Sequence, residues 1–317
     1  MSSSHGGLYQ RLDSRAIVGR FYRRYEEDAN RIWANRVMWL NPDANQETET
    51  YRFLGASPML REWVGARQAK QLELFEFQIK HIEFEATLAF ARADMRRDKT
   101  GQINIRIGDL ANRAGDHWNK LLTNLRVANG TAYDGQAFYS ATHAIGASGT
   151  LVNLLAAAQV PALNVVTAAA PTKTEMVNII IGMIQHAYTM KDEQGEPING
   201  TARHWDLQVP ANMIGVAVAA TKSERISGGE SNTLLAQNWT VEPVVNPRLT
   251  STTEIYLDRT DAEIKPFVGQ EERPLSIEIL GEGSDHSFKH KEHLFGVEAI
   301  RNVGYGEWAY SFKGTLS

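Results

Sequence analysis

The chain has 317 residues, 43% hydrophobic and 22% charged, which is enough apolar material for a buried core in one or two domains and too much for a disordered polymer. Its 33 basic and 37 acidic residues leave a formal charge of −4, which excludes a strong global cationic field. The absence of cysteine excludes disulfides, thiolate catalysis and cysteine-based zinc sites, and is compatible with a reducing cytoplasm.

Arg11, Arg15, Arg20, Arg23 and Arg24 enclose no apolar run, unlike a secretory signal. Ile17, Phe21, Tyr25, Ala29, Ile32, Trp33, Val37 and Leu40 recur near helical spacing, with arginines between them, which predicts an amphipathic helix ended by Asn41, Pro42 and Asp43. Such a helix either packs on its own core or reaches onto a neighbouring subunit.

From Leu72 to Ala91 the period changes to two. Phe75, Phe77 and Ile79 share one phase; Ile82, Phe84, Ala86, Leu88 and Phe90 share the other after a shift at Lys80 and His81. The pattern predicts two long strands forming a ribbon with one wet face, and a ribbon alone is marginal in water. One continuous helix is expected from Ile107 to Ala128, stopped by Asn129 and Gly130. Tyr133, Asp134 and Gly135 begin a turn, followed by a short strand through Phe138 and Tyr139.

Ala144 to Pro171 carries no charge, but Asn153, Gln159, Pro161 and Asn164 interrupt it, so a buried connection is expected and a membrane span is not. Thr172 and Glu175 form a capping box ahead of a helix ending near Lys191. A buried strand follows at Trp205–Val209, then a helix from Pro210 to Ala220, a loop at Ser227–Glu230, and strands at Thr240–Val245, Thr253–Asp258 and Leu275–Leu280. The last two apolar runs, Leu294–Ile300 and Gly306–Phe312, suggest a closing hairpin around Asn302–Gly304. Helices and strands mix without regular βαβ alternation, which points to an α+β fold.

Four groups of residues have the composition of chemical sites. His286, His290 and His293, beside Asp285 and Glu292, have the spacing to stack three imidazoles on one helical face, but Lys289 and Lys291 oppose a cation. Tyr139, Ser140, Thr142 and His143 place hydroxyls near an imidazole without a Gly-x-Ser-x-Gly elbow. Asp258, Asp261 and Glu263 lack calcium-loop spacing, and Gly228-Gly229-Glu230 is not followed by the Lys-Ser or Lys-Thr of a phosphate loop. The expectation is therefore a protein with no catalytic, cofactor-binding or metal-binding residues, with a metal-dependent hydrolase using the three histidines as the alternative.

The run ETYRFLGASPMLREWVG from Glu49 to Gly65 resembles the major head subunit of Mu-like tailed bacteriophages. Asp94-Met95-Arg96-Arg97-Asp98, Tyr133-Asp134-Gly135-Gln136-Ala137-Phe138 and Thr142-His143 follow in that family's order, and Val209-Pro210 and Tyr305–Phe312 match more loosely. The resemblance implies the Hong Kong 97 capsid fold: an N-terminal arm over 1–48, an extended β loop over 49–100, a peripheral domain over 101–171 and 286–317 containing the spine helix, and an axial domain over 172–285. It implies a major capsid protein that self-assembles into hexamers and pentamers, forming an icosahedral head around double-stranded DNA in the virion after assembly in the host cytoplasm. The implied partners are further copies of the chain, a portal, a separate scaffolding protein, possible decoration proteins and non-specifically held DNA, with no membrane. A lysine-to-asparagine cross-link of the kind some such capsids form would involve Lys70 or Lys80, but no asparagine partner or acidic catalyst is identifiable.

Overall fold

A computed structural model describes residues 16–27, 32–41, 43–54, 74–97, 101–226 and 229–317. A helix, α1, covers 16–27 and buries Ile17 and Phe21. The expected single helix does not continue to Leu40. A one-turn helix, α2 (Ala34–Val37), is followed at once by an extended strand, β1 (Met38–Asn41). Strand β2 (Thr48–Leu54), which the hydrophobic pattern did not reveal, precedes β3 (Leu74–Lys80) and β4 (Ile82–Ala91).

The phase shift at Lys80 and His81 does separate two strands, but they do not pair with each other. β3 pairs antiparallel with β2, from Thr48 opposite Lys80 to Leu54 opposite Leu74. β4 instead pairs with β12 (Glu292–Tyr305), so the polar alternation along β4 is that of a sheet covered on one face.

After a short helix, α3 (Arg92–Arg97), the expected spine is two helices, α4 (Gln102–Gly115) and α5 (His117–Ala128). The apolar stripe is continuous in sequence, but the hydrogen-bond ladder is not. The Ala114 carbonyl, which an unbroken helix would offer to residue 118, accepts from Arg301 Nη2 at 2.9 Å, and Asp116 sits at ψ −4. The guanidinium of Arg301 also lies 4.8 Å over the Trp118 ring. α5 ends as expected: Asn129 takes the left-handed conformation (φ 46), donates to the Leu125 carbonyl, and uses its side chain to hold both backbone groups of Tyr139.

The charge-free segment folds as short strands, β5 (His143–Ala144), β6 (Thr150–Leu151) and β7 (Leu154–Leu155), with tight turns between them. No helix among the described residues is long and apolar enough to cross a membrane. The capping box forms, with Thr172 accepting from the Glu175 amide and Glu175 accepting from the Thr172 amide at 2.7 Å, and it starts α6 (Lys173–Tyr188). Then come β8 (His204–Val209), a 3-10 turn at Ala211–Met213 for which Pro210 is the cap, α7 (Ile214–Lys222), α8 (Thr233–Ala236), β9 (Thr240–Val245) and β10 (Glu254–Arg259). β11 (Phe267–Leu280) is a long strand of which the predicted Leu275–Leu280 is the end, and α9 (Asp285–His290) sits at the tip between β11 and β12. The last strand is β13 (Ser311–Thr315).

No closing hairpin forms. Asn302, Val303 and Gly304, read as a turn, lie inside β12 opposite Gln270, Gly269 and Val268, and the final run belongs to a different sheet. Gly304 is required for close approach: a Cβ there would lie 2.3 Å from Ile79 Cδ1. The chain leaves the sheet two residues later, where Gly306 passes too near the Lys265 and Pro266 backbone for any side chain.

Two sheets result. The long sheet has the order β1-β11-β12-β4, and α1 and α4 cover one face through Ile17, Phe21, Ile107 and Leu110 against Leu275, Phe295 and Val297. The second has the order β7-β13-β10-β8-β9 and packs against α6 and α7 around Ile180, Met183, Leu207 and Leu257. α5 joins them through a fully buried Arg126, whose Nη2 lies 2.8 Å from Asp258 Oδ2 on β10. The same guanidinium rests on the faces of Trp33, Tyr256 and Phe267, at 5.8, 4.9 and 5.0 Å. Asp258 Oδ1 accepts from Ser311 Oγ at 2.6 Å, and Ser311 Oγ in turn contacts Tyr139 OH at 2.9 Å.

Removing one member of a buried pair strands the other charge. Arg126→Met is therefore expected to lower the unfolding free energy by about 3–5 kcal/mol. The double variant Arg126→Met/Asp258→Leu should recover most of that loss in denaturant titration.

Candidate functional site

The groups singled out as chemical candidates are distributed through the fold in ways that give each a structural task. The three histidines do not share a helical face. His286 and His290 stack at 4.6 Å on α9, but that helix ends at His290 and His293 lies on β12 opposite Phe90. Lys289 pairs with Asp285 at 2.7 Å within the same turn. Among the described residues, no group of three or more His, Asp or Glu is placed to hold a metal ion. Asp258 is committed to Arg126, while Asp261 receives Arg259 at 2.7 Å and the Arg203 amide at 2.7 Å, so the acidic turn is not a shared cation site. Ser227 and Gly228 lie outside the described residues; beside them, the Ile226 amide bonds to the Glu230 carbonyl and Gly229 takes φ 84, a tight turn.

His143 does gather polar partners, but not those of a nucleophile–base pair. Its Nδ1 is 2.5 Å from Asp134 Oδ2, and its Nε2 faces the Phe138 carbonyl and Asn153 Oδ1, both at 3.2 Å. Asn153 Oδ1 also accepts the Ser140 amide at 2.8 Å, so it is an acceptor, and the imidazole presents its Nε2 proton to oxygen and not to a hydroxyl. The ring stacks on Trp308 at 3.8 Å and 4°. Ser140 and Thr142 bond to each other at 3.0 Å on the outside of this cluster. The His143 bond holds the Asp134 carboxyl below the usual carboxylate range despite its burial.

Next to it, Tyr133 OH donates to Glu307 Oε1 at 3.0 Å and the Ala309 amide to the same oxygen at 3.2 Å. Burial pushes the Glu307 carboxyl up to about 7, and the nearby Asp134 charge adds to the shift. Only the contact of 130–143 with 307–311 creates this network, so no spacing in the chain signals it.

The surfaces that remain open are extensions of the body. The β2–β3 ribbon is tied to the long sheet at its base. Tyr51 OH donates to Gln270 Oε1 at 3.0 Å, Gln270 Nε2 to the Ile79 carbonyl at 3.0 Å, and Asn302 Nδ2 to the Lys80 carbonyl at 2.6 Å. Residues 55–73, which include Lys70 and the whole Gly55–Gly65 part of the sequence motif, lie outside the described residues. Lys80 is exposed and pairs with Glu47 at 3.2 Å. Along the body, β4 offers ten residues whose second edge pairs with no strand among the described residues. At the tip of the β11–β12 hairpin, Phe288 is 85% exposed.

This arrangement of a four-stranded and a five-stranded sheet with a β2–β3 ribbon is shared with solved viral shell subunits. It superposes on the subunit of the bacteriophage JBD30 procapsid with a TM-score of 0.54 at 20% identity, covering 98% of this chain and 76% of that one. The capsid of Myoviridae phage XM1 matches with a TM-score of 0.53 at 12% identity over 90% and 91% of the two chains. A virus-like particle from Pyrococcus furiosus matches with 0.52 at 8% identity over 96% and 98%. The fold is thus the Hong Kong 97-like capsid fold.

The model of the Mu-like prophage major head subunit gpT matches residues 16–174 and 236–317, and the chain belongs to that family. The Escherichia phage Mu major capsid protein is 30% identical over 121 residues, 38% of this chain and 39% of that protein. The Haemophilus influenzae Mu-like prophage FluMu major head subunit is 28% identical over 103 residues, 32% and 33% of the two chains. These alignments span about two fifths or less of the relatives' lengths. The family consists of structural head subunits, not enzymes, and the hydrolase alternative has no support in it.

The position of Glu307 generates a pH dependence. Unfolded, its carboxyl ionises in the ordinary carboxylate range; folded, only near 7. Between those values the folded state binds more protons, so stability falls as pH rises through that window and is level above it. Glu307→Gln should therefore raise the unfolding free energy at about pH 8 by on the order of 1–2 kcal/mol and change it little at about pH 4. Paired urea titrations of the unassembled chain would measure both.

Proposed function

We propose that this chain is the major capsid protein of a phage head, self-assembling into hexamers and pentamers that close an icosahedral shell around double-stranded DNA. The observation that carries this reading is the two-stranded β2–β3 ribbon, whose described residues are tied to the long sheet near Tyr51, Ile79 and Lys80. A two-stranded ribbon gains independent stability only by packing on something else, and the open β4 edge is a ready template for a neighbour. Membership of the head-subunit family supports the same conclusion. In this reading 1–48 is an arm, 49–100 the extended loop, 101–171 with 286–317 the peripheral domain, and 172–285 the axial domain. The two sheets exchange strands across that division, β11 joining the long sheet and β13 the five-stranded one. A portal, a separate scaffolding protein and decoration proteins complete the expected partners, and assembly takes place in the host cytoplasm.

The decisive measurement is particle size by sedimentation or electron microscopy, with and without a scaffolding partner. Shells, rings or capsomers are expected; a strict monomer under all conditions overturns the proposal. A second test targets the ribbon. Gly304→Val would displace Ile79 and loosen the ribbon's base, so particle yield is expected to drop at least several-fold while the circular dichroism of the unassembled chain is retained. Unchanged yield would show that the ribbon is not an assembly element.

A further inference from the structure

The long sheet and its covering helices form two layers whose outer faces carry opposite charge. On the helix side, the exposed residues include Arg20 and Arg23 of α1 and Arg106 and Arg113 of α4, while the half-buried Arg24 reaches across to Asn112 Oδ1 at 2.9 Å. On each helix the exposed arginines lie along one flank of the buried stripe of Ile17, Phe21, Ile107 and Leu110. Three acids share this face. Glu27 pairs with Arg24 at 3.3 Å, Asp109 with Arg113 at 3.1 Å, and Glu26 is exposed.

On the sheet side, the register aligns Glu85, Glu298 and Ser276 across three strands, with Glu83 and Glu278 in the adjacent rows. Arg273, paired with Glu298 at 2.6 Å, is the cation among them. A helix layer is about 10 Å thick, longer than the roughly 8 Å Debye length at physiological ionic strength, so an approaching polyanion senses the two faces separately.

We propose that the arginine face of α1 and α4 is the surface that meets packaged DNA, binding duplex phosphates without reading sequence, and that the glutamate face of the long sheet looks away from it. This rests on the shell reading above. A duplex carries about one negative charge per 1.7 Å of axis, so the face laid against it gains by releasing counterions from arginine contacts. The opposite face, turned inward, would set rows of carboxylates against phosphates. The favoured orientation therefore follows from charge alone, and modest surface arginines suit a shell that must not hold its genome irreversibly.

The absence of cysteine makes the test direct, because a single introduced thiol is unique. Gly19→Cys places one on the outer side of α1, where a side chain meets nothing within 4 Å, and Thr87→Cys places one on the glutamate face. Glu26→Cys and Glu278→Cys serve if either variant fails to assemble. Filled particles are treated with a maleimide–dextran too large to pass the shell. Labelling at Thr87 but not at Gly19, with Gly19 reacting after the particle is disrupted, is expected. Reversed or equal labelling overturns the assignment.

The occupant is tested on the unassembled chain with a short duplex. Arg20→Ala/Arg106→Ala should flatten the dependence of log affinity on log salt by about one unit per contacting arginine, while Glu83→Ala/Glu85→Ala should not. An unchanged slope in the arginine variant overturns DNA as the occupant. Loss of particles by that variant with an unchanged slope would instead make the face a contact between copies. If the unsubstituted chain forms no particles, the shell reading fails, and the duplex measurement still judges the face.

Discussion

One buried guanidinium holds the body together. Arg126 brings its charge to a place without solvent, and the surroundings compensate with a carboxylate from β10 and aromatic faces from the N-terminal segment, β10 and β11. A buried ion pair is a poor source of stability, because desolvating both charges offsets most of their attraction, but it tolerates little misplacement of its partners. Trp33 lies far along the chain from Tyr256 and Phe267, so enclosing this charge also sets α5 against both sheets. Arg301 has a parallel task in the middle of the spine. It takes a helix carbonyl at the α4–α5 break and covers Trp118, so the break is imposed by tertiary contact.

With the interior settled by such pairs, the chemistry-bearing side chains are consumed by structure. His143 has its ring nitrogens against a carboxylate, a carbonyl and an amide oxygen, and its face against Trp308; that is a bolt between the 130–143 turn and the 307–311 turn. Asp261 and Arg259 likewise secure the start of β8. What remains available lies on the surface: a ribbon, an open strand edge, a hairpin tip and two faces of opposite charge. For a head subunit that division is physically sensible. Many modest contacts between rigid bodies close a shell, and a body that deformed easily would not hold one curvature.

Where local chemistry decides structure, the reading of residues and the fold agree. The Thr172–Glu175 box starts α6, Asn129 stops α5, and the alternation from Trp205 to Val209 is a buried strand. The shift at Lys80–His81 marks a true break between strands. The misreadings share one cause. Gly304 reads as turn chemistry, but its lack of a side chain serves the approach of Ile79. The stripe from Ile107 to Leu125 reads as one helix, but Arg301 diverts a carbonyl in its middle. β3 and β4 are adjacent in the chain, but β3 pairs with the preceding β2 and β4 with the distant β12.

The sequence alone determined the α+β class, most element positions, the lack of cysteine chemistry and the resemblance to Mu-like head subunits. These depend on periodicity, caps and ordered motifs, which are properties of neighbouring residues. Only the tertiary structure decided which strands pair, where the spine breaks, that the final run crosses to a second sheet, and that arginines and glutamates separate onto opposite faces. Those outcomes depend on contacts between residues more than a hundred positions apart, such as Arg126 with Asp258 and Ala114 with Arg301, and a local pattern carries no record of them.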